Sequence, residues 1–256
     1  MTSNTAKLKI WWVLLGTASI VFHIWLIFSG LVPSLIARPI HMALALPWIF
    51  IFASKSKRQL ISGVVLTVIG VIACVYIAFN EVVLSEQYGF ISGWEQFIIA
   101  SLLILITLEM ARRAIGWPLP LIASFFIVYG MFGQYIPGEF GHAGIPINSF
   151  LGTLIITEGG LWGTLTGVSV SIVAVFVIFG AILNAGEAGK GFMNIAVAAA
   201  GSLKGGAAKV SVLASALFGS ISGSASANVA STGMVTLPTM QKLGYPRQVA
   251  GAVEAV

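Results

Sequence analysis

Apolar residues in this chain form long uncharged runs, not the strict alternation typical of a half-buried strand. A helix needs about 20 mostly apolar residues to cross the hydrocarbon core of a bilayer. Six runs approach this length: residues 10–31, 39–54, 59–80, 96–108, 117–138 and 163–185. The run at 96–108 becomes long enough only when its flanks, from Trp94 to Arg113, are included. The pattern predicts an all-α polytopic integral membrane protein with about six transmembrane helices.

Composition supports a membrane protein and excludes other classes. The 256 residues are 58% apolar and only 8% charged, with a mean hydropathy of +1.00, which is far from the average of a soluble domain. The net charge of +5 is too thinly spread for a nucleic-acid surface, so we expect no nucleic acid as a partner. The single cysteine, Cys74, excludes an intramolecular disulfide and a metal site built on thiolates.

Basic residues predict the orientation. If the N-terminus with Lys7 and Lys9 is cytoplasmic and each run crosses once, twelve of the thirteen basic residues are cytoplasmic and only Arg38 lies outside. The opposite orientation reverses this bias and violates the positive-inside rule. We therefore expect a multi-pass protein of a bacterial-type inner membrane, in contact with lipid, with a cytoplasmic N-terminus.

Two shorter segments have helical spacing. In residues 146–162, apolar residues recur at helical spacing, which predicts an amphipathic helix in the outer interface that begins at Pro146. These apolar residues are Ile147, Phe150, Leu151, Leu154 and Ile155. The alternative is a loop with chance apolar residues. Residues 192–203 are compatible with either an interfacial or a buried helix.

The stretch from Val210 to Gln241 has no charge but is too long for one crossing. As a continuous helix it would measure roughly 48 Å, against a core of about 30 Å. Lys209 and Lys242 flank it, so both ends are predicted to be cytoplasmic and the number of crossings even. Two helical legs of about a dozen residues, near 18 Å each, reach only partway into the bilayer. The pattern therefore predicts a cytoplasmic-side re-entrant helical hairpin.

Small and hydroxyl residues fill the middle of this stretch, residues 219–228, where the tip of the hairpin would lie. Irregular backbone is tolerated at membrane depth only where it is buried in protein or lines a water-filled cavity. In secondary transporters such interrupted helices bind small cations through carbonyls and hydroxyls, and their N-termini attract anionic substrates. The alternative is that the small residues only allow close helix packing.

Four short segments resemble one known family: residues 204–210 (KGGAAKV), 215–225 (SALFGSISGSA), 243–246 (LGYP) and 250–255 (AGAVEA). They are similar to the tripartite ATP-independent periplasmic (TRAP) transporters, in particular to the fused permeases served by TAXI-type binding proteins. The resemblance is strong from about Trp94 onward and weak before it. It implies a permease that receives an organic anion, usually a carboxylate, from an extracytoplasmic solute-binding protein and imports it with sodium as the coupling ion.

The resemblance also implies a site and a domain division. The family's serine-rich hairpin tip contributes to a sodium site, which points here to Ser220, Ser222, Gly223, Ser224 and Asn228. Many unfused relatives carry aspartate at the position of Asn228. Residues 1–113 resemble the small membrane subunit, and residues 114–256 resemble the first part of the large subunit, so a second inverted repeat is expected to follow.

The residues give little support to a catalytic function or to a metal site other than sodium. His23, His41 and His142 are far apart and form no i, i+4 pair, so neither a metal site other than sodium nor a catalytic site is expected. No G-x-S-x-G turn is present, so we expect no enzyme and no cofactor. Glu109 and Arg113 are predicted to form a surface pair at a helix end. A structural or degenerate membrane subunit without transport activity of its own is the alternative function, and a membrane-embedded enzyme is a more distant one.

Overall fold

A computed structural model describes residues 2–186, 188–222 and 225–255, and these residues are mostly helical and contain no strand. The α-helices are α1 (Thr2–Phe28), α2 (Ser34–Pro47), α3 (Lys57–Phe79), α4 (Glu81–Ser85), α5 (Gly93–Ile115), α6 (Pro118–Phe132), α7 (Ile147–Ile155), α8 (Thr164–Val168), α9 (Ala174–Ala185), α10 (Ala188–Ala200), α11 (Gly206–Ser222), α12 (Ala225–Lys242) and α13 (Arg247–Glu254). Five-residue π-helical segments follow α2 (Trp48–Phe52) and α8 (Ser169–Val173), and a 3₁₀ turn follows α6 (Gly133–Tyr135). The predicted all-α class is confirmed.

Among the residues that the structure describes, five helical segments are long and apolar enough to cross a membrane: Lys9–Phe28, Ser34–Phe52, Lys57–Phe79, Pro118–Tyr135 and Thr164–Leu183. Each coincides with a predicted run. The sixth predicted run lies in α5, whose 23 residues include Glu95, Glu109, Arg112 and Arg113 near the two ends. The helix has the length to span, while its terminal charges reduce its hydropathy.

The chain divides into two compact units, Met1–Ser171 and Ile172–Val256. In the first unit, α2, α3 and α5 surround a core of large apolar side chains. Leu46, Phe50 and Leu103 are fully buried there, and Ile106 is 1% exposed. This core lies inside the protein, whereas many apolar side chains of α1 and α6 are exposed, as expected for surfaces that face lipid.

Arg113 connects α5 to its neighbours, which corrects the prediction of a simple surface pair with Glu109. Its Nε donates to Glu109 Oε1 at 2.8 Å, as the spacing predicted. However, its side chain is only 11% exposed, its Nη2 donates to Ser62 Oγ at 2.9 Å, and its guanidinium lies 4.9 Å from the centre of the Phe50 ring. Arg113 therefore holds the end of α5 against α3 and the first π-helical segment.

Helix α7 occurs where the amphipathic pattern placed it, with two differences. Pro146 precedes the helix as its N-cap, and the helix ends at Ile155, well before Trp162. Its apolar side chains Leu151 and Ile155 are buried in the core of the first unit, and Gly152 lies against the backbone of Gly89. The amphipathic face is thus covered by protein.

The second unit consists of α9 to α13 and has a core of small side chains. Ala196 and Ala214 are fully buried between α10 and α11, and Val210 is nearly so. Small residues let helix backbones approach closely, which is the usual way that helices associate in membranes. This packing positions the two legs of the predicted hairpin.

Candidate functional site: the α11–α12 hairpin and its buried polar groups

Helices α11 and α12 form the two legs of the predicted hairpin, with 17 and 18 residues. At the helical rise these legs are about 25 and 27 Å long, longer than the 18 Å expected for a dozen residues. They lie antiparallel, since Asn228 near the start of α12 reaches Ser215 in α11. The small-residue tract is helical up to Ser222 and again from Ala225, so packing overrides the weak helix propensity of Gly and Ser.

Local sequence explains where these elements begin and end. Gly205, immediately before α11, has a φ of +71°, and Gly244, after α12, has a φ of +88°. Glycine adopts such left-handed conformations without the steric cost that other residues pay. Pro246 then precedes α13 as its N-cap, with backbone angles that allow the chain to turn into a new helix.

The predicted site residues fall into three groups: two on α11, two outside the described residues, and one on α12. Ser220 is exposed on α11, and its hydroxyl donates to the Leu217 carbonyl at 2.6 Å. Ser222 is the last residue of α11. Gly223 and Ser224 lie outside the described residues. Asn228 lies on α12 and is the predicted site residue that the structure places between the two legs.

In the side-chain amide of Asn228, the nitrogen has hydrogen-bond partners, whereas the oxygen has none among the described residues. Its Nδ2 donates to the carbonyl and to the hydroxyl of Ser215, both at 3.0 Å. Its Oδ1 is buried and has no hydrogen-bond partner within the part of the chain that the structure describes. A buried carbonyl-type oxygen without a donor is rare in folded proteins, and it is available to a ligand that carries positive charge.

A polar cluster that the sequence analysis missed lies between α11, α12 and α13. Glu254 is 2% exposed, and its Oε2 accepts hydrogen bonds from Ser211 at 2.6 Å and from Thr236. Its Oε1 accepts a hydrogen bond from Thr232. We call Ser211, Thr232, Thr236 and Glu254 the Glu254 cluster.

A sequence signal for this cluster existed. Thr232 and Thr236 are four residues apart and so lie on one face of a helix, and Glu254 is an acidic residue within an otherwise apolar segment. Ionisable side chains are rarely fully buried unless they are paired, so a buried carboxyl group is a candidate for a functional role. The partner Ser211 could not be identified from spacing, because it lies on another helix.

The first unit contains a second group of hydrogen-bonded polar side chains. The sequence analysis missed this group because its members are far apart in the sequence. His23 Nδ1 lies 2.6 Å from the Ser19 carbonyl, and His23 Nε2 lies 2.8 Å from His41 Nδ1. His41 Nε2 lies 3.1 Å from the Ser169 hydroxyl, in the second π-helical segment. His142 lies elsewhere, with its Nε2 3.1 Å from the Tyr129 carbonyl.

These side chains do not form a metal centre of the usual kind. No group of three or more His, Cys, Asp or Glu side chains with metal-binding geometry occurs among the residues described. Both histidines of the pair have protein partners, so the arrangement is a hydrogen-bonded chain from α1 through α2 to Ser169.

Comparison with known proteins identifies the family. The model of the tripartite ATP-independent periplasmic transporter, DctM component, matches residues 102–256, which include α6 to α13 and most of α5. The chain belongs to this family. The family consists of transporter permeases, so the prediction that the chain is not an enzyme is confirmed.

Individual relatives agree with this assignment. The chain is 40% identical over 81 residues to the uncharacterized protein YgiK of Salmonella typhimurium, covering 32% of this chain and 19% of the relative. It is 32% identical over 126 residues to the C4-dicarboxylate TRAP transporter large permease protein DctM of Rhodobacter capsulatus, covering 43% and 28%. It is 29% identical over 140 residues to the isethionate TRAP transporter permease protein DctMQ of Oleidesulfovibrio alaskensis, covering 54% and 22%.

These matches cover only part of each relative. The aligned region spans 19% to 28% of the length of the three relatives. No solved structure matches the chain. Together with the five apolar helices, the family establishes that this TRAP permease chain is a multi-pass membrane protein.

Proposed function

We propose that this chain is the permease part of a sodium-coupled secondary transporter. It imports an organic anion, of which a carboxylate is the expected class, after delivery by an extracytoplasmic solute-binding protein. Family membership supports transport, and the names of two relatives, which refer to C4-dicarboxylate and isethionate, support an anionic substrate. The same names support a tripartite system in which a separate protein delivers the substrate.

The observation that carries the sodium proposal is the buried, unpartnered Oδ1 of Asn228 between the legs of the hairpin. Sodium is a hard cation that is held by several oxygen ligands, and transporters supply such oxygens from interrupted helices. The amide of Asn228 is fixed by its two hydrogen bonds to Ser215, so its oxygen is already oriented. Ser220, Ser222, Gly223 and Ser224 are the neighbouring positions from which hydroxyl and carbonyl ligands would come.

We further propose that residues 1–113 act as the small-subunit part and residues 114–256 as the first section of the large-subunit part. The family match beginning at residue 102, close to this division, supports the proposal. A cytoplasmic N-terminus in an inner membrane belongs to the same proposal.

The sodium site is tested by the thermal stability of the purified chain in lipid nanodiscs, measured in sodium chloride and in choline chloride. A ligand that binds only the folded state stabilises it by about 2.7 kcal/mol at 100 times its dissociation constant. We expect sodium to raise Tm and Asn228→Ala to remove most of this rise. Asn228→Asp keeps the oxygen and adds charge, so it should increase the rise.

Val229→Ala is the matched control, because Val229 is an exposed neighbour on the same helix. It should keep the sodium response of the original chain. A Tm that is the same in both salts, or a sodium response that Asn228→Ala leaves intact, would contradict the proposed site and favour a packing role for the small residues.

A further inference from the structure

The carboxyl group of Glu254 joins both legs of the hairpin to α13. Its oxygens accept hydrogen bonds from Ser211 on α11 and from Thr232 and Thr236 on α12, and all three of these residues are buried. Three hydroxyl donors at one carboxyl group favour its ionised form, because a carboxylate offers only acceptor oxygens. The Glu254 cluster therefore places a negative charge between these helices.

Among the residues that the structure describes, no basic side chain forms an ion pair with Glu254. The basic residues of the three surrounding helices are Lys209 on α11, Lys242 on α12 and Arg247 on α13, and all three are exposed. Glu254 itself is only 2% exposed. Burying a charge is costly unless it is paired or lies close to a metal ion, so a cation near this carboxylate would stabilise the arrangement.

Thr232 connects this carboxylate to the proposed cation ligand. Its hydroxyl contacts Glu254 Oε1 and lies 3.0 Å from the backbone carbonyl oxygen of Asn228. Asn228 is also the residue whose buried Oδ1 has no partner among the described residues. On the other leg, Ser211 and Ser215 are one helical turn apart, the first bonded to Glu254 and the second to Asn228. The carboxylate and the available amide oxygen therefore belong to successive turns of one hairpin.

We propose that Glu254 determines the affinity of the hairpin for its cation by supplying the negative charge that the neutral ligand Asn228 lacks. A monovalent cation at Asn228 Oδ1 balances the buried carboxylate. The hydroxyl groups of the Glu254 cluster hold the carboxylate in place, so it attracts the ion through its charge without contacting it. This inference rests on the proposed function, because it concerns the same sodium site.

The experiment measures Tm of the full chain in lipid nanodiscs while sodium chloride replaces choline chloride at constant ionic strength. The dependence of Tm on sodium concentration gives an apparent dissociation constant. Glu254→Gln removes the charge and keeps the size of the side chain. We expect it to weaken sodium binding by about tenfold or more, since opposite charges this close attract strongly in a medium of low dielectric constant. Tm in choline chloride alone measures the effect on folding separately.

A second substitution distinguishes charge from packing. The double variant that carries Glu254→Gln and Asn228→Asp has the negative charge again, now on the ligand itself, so it should recover most of the lost sodium affinity. A role of Glu254 in holding the helices together would not be restored by this change. Thr239→Val is the matched control, because Thr239 is exposed on α12 and its hydroxyl donates to the Val235 carbonyl. It should bind sodium as the original chain does.

Thr236→Val covers the case in which Glu254→Gln fails to fold. It removes one hydrogen bond to Glu254 and keeps the charge, so Tm in choline chloride should fall while the sodium dissociation constant stays close to that of the original chain.

Three results would overturn the inference and leave the proposed sodium site standing: an unchanged sodium affinity in Glu254→Gln, no recovery in the double variant, or a loss of about tenfold in Thr236→Val. An original chain whose Tm does not respond to sodium would contradict the proposed function, and this inference with it.

Discussion

At the scale of single residues, Gly63 sets how closely α3 approaches the π-helical segment that ends α2. A Cβ at this position would lie 1.9 Å from the Phe50 carbonyl oxygen and 2.8 Å from its carbon. Backbone atoms cannot move aside as a flexible side chain can. We expect Gly63→Ala to destabilise the first unit by about 1–3 kcal/mol, the usual cost of overpacking. Unfolding in mixed micelles by increasing denaturing detergent measures this loss.

Gly16→Ala is the control for that substitution. A Cβ at Gly16 in α1 would lie 3.7 Å from Trp48 Cζ2, an ordinary van der Waals contact. Because alanine is a better helix former than glycine by about 1 kcal/mol, stability should stay the same or rise. Similar losses at Gly16 and Gly63 would mean that the close approach of α3 does not determine stability.

The individual site residues also show how much of the candidate site could be predicted from the sequence. The density of Ser and Gly was enough to single out residues 219–228, and Asn228 proved to lie between the legs. The sequence could not show which hydroxyls point inward, because in a helix rich in small polar residues every face has the same character. Glu254 was missed for a related reason: its partners come from two other helices, and no spacing within one segment reveals them.

At the scale of elements, the hydrogen bond between His23 and His41 links α1 to α2. His23 Nδ1 faces the Ser19 carbonyl and must donate to it, so in the neutral ring Nε2 accepts from His41 Nδ1. His41 Nε2 then accepts from the Ser169 hydroxyl. Replacing one histidine leaves the other with an unsatisfied buried nitrogen, at a cost of about 1–3 kcal/mol. We therefore expect His23→Leu and His41→Leu each to destabilise the chain.

The double variant distinguishes this pairing from independent packing. When both partners are apolar, neither leaves the other unsatisfied, so the double loss should be smaller than the sum of the single losses. Denaturing-detergent unfolding of the four proteins completes the cycle. Strictly additive losses would show that the two rings do not depend on each other.

The elements themselves were largely predictable, since the apolar runs became helical and the amphipathic segment became α7. The run at 163–185 differs in being divided among α8, a π-helical segment and α9. The predicted helix lengths were wrong where tertiary packing outweighed the intrinsic helix propensity of the residues. The legs of the hairpin were expected to stop short at the Gly and Ser tract, yet α11 continues to Ser222. Helix α11 packs against both α10 and α12, and Ala214 is fully buried against α10. Propensity scales do not include such contacts.

At the scale of the whole molecule, the distribution of charge predicts an orientation that the helices make testable. Ser56 is the N-cap of α3, and Ser85 ends α4, just beyond the opposite end of α3. Both side chains are exposed, and the single native cysteine, Cys74, is buried within α3. A reporter cysteine at each position therefore examines the two ends of one 23-residue helix.

We expect Ser85→Cys, in a chain that also carries Cys74→Ala, to react in intact cells with a thiol reagent that cannot cross the inner membrane. Ser56→Cys in the same background should react only after the membrane is permeabilised, because the positive-inside rule predicts that the basic residues Lys55, Lys57 and Arg58 lie in the cytoplasm. Ser92→Cys, exposed before α5, provides a second position on the side of Ser85 and should behave as it does. Reaction of Ser56→Cys but not Ser85→Cys in intact cells would reverse the orientation, and equal reaction of both would show that α3 does not cross the membrane.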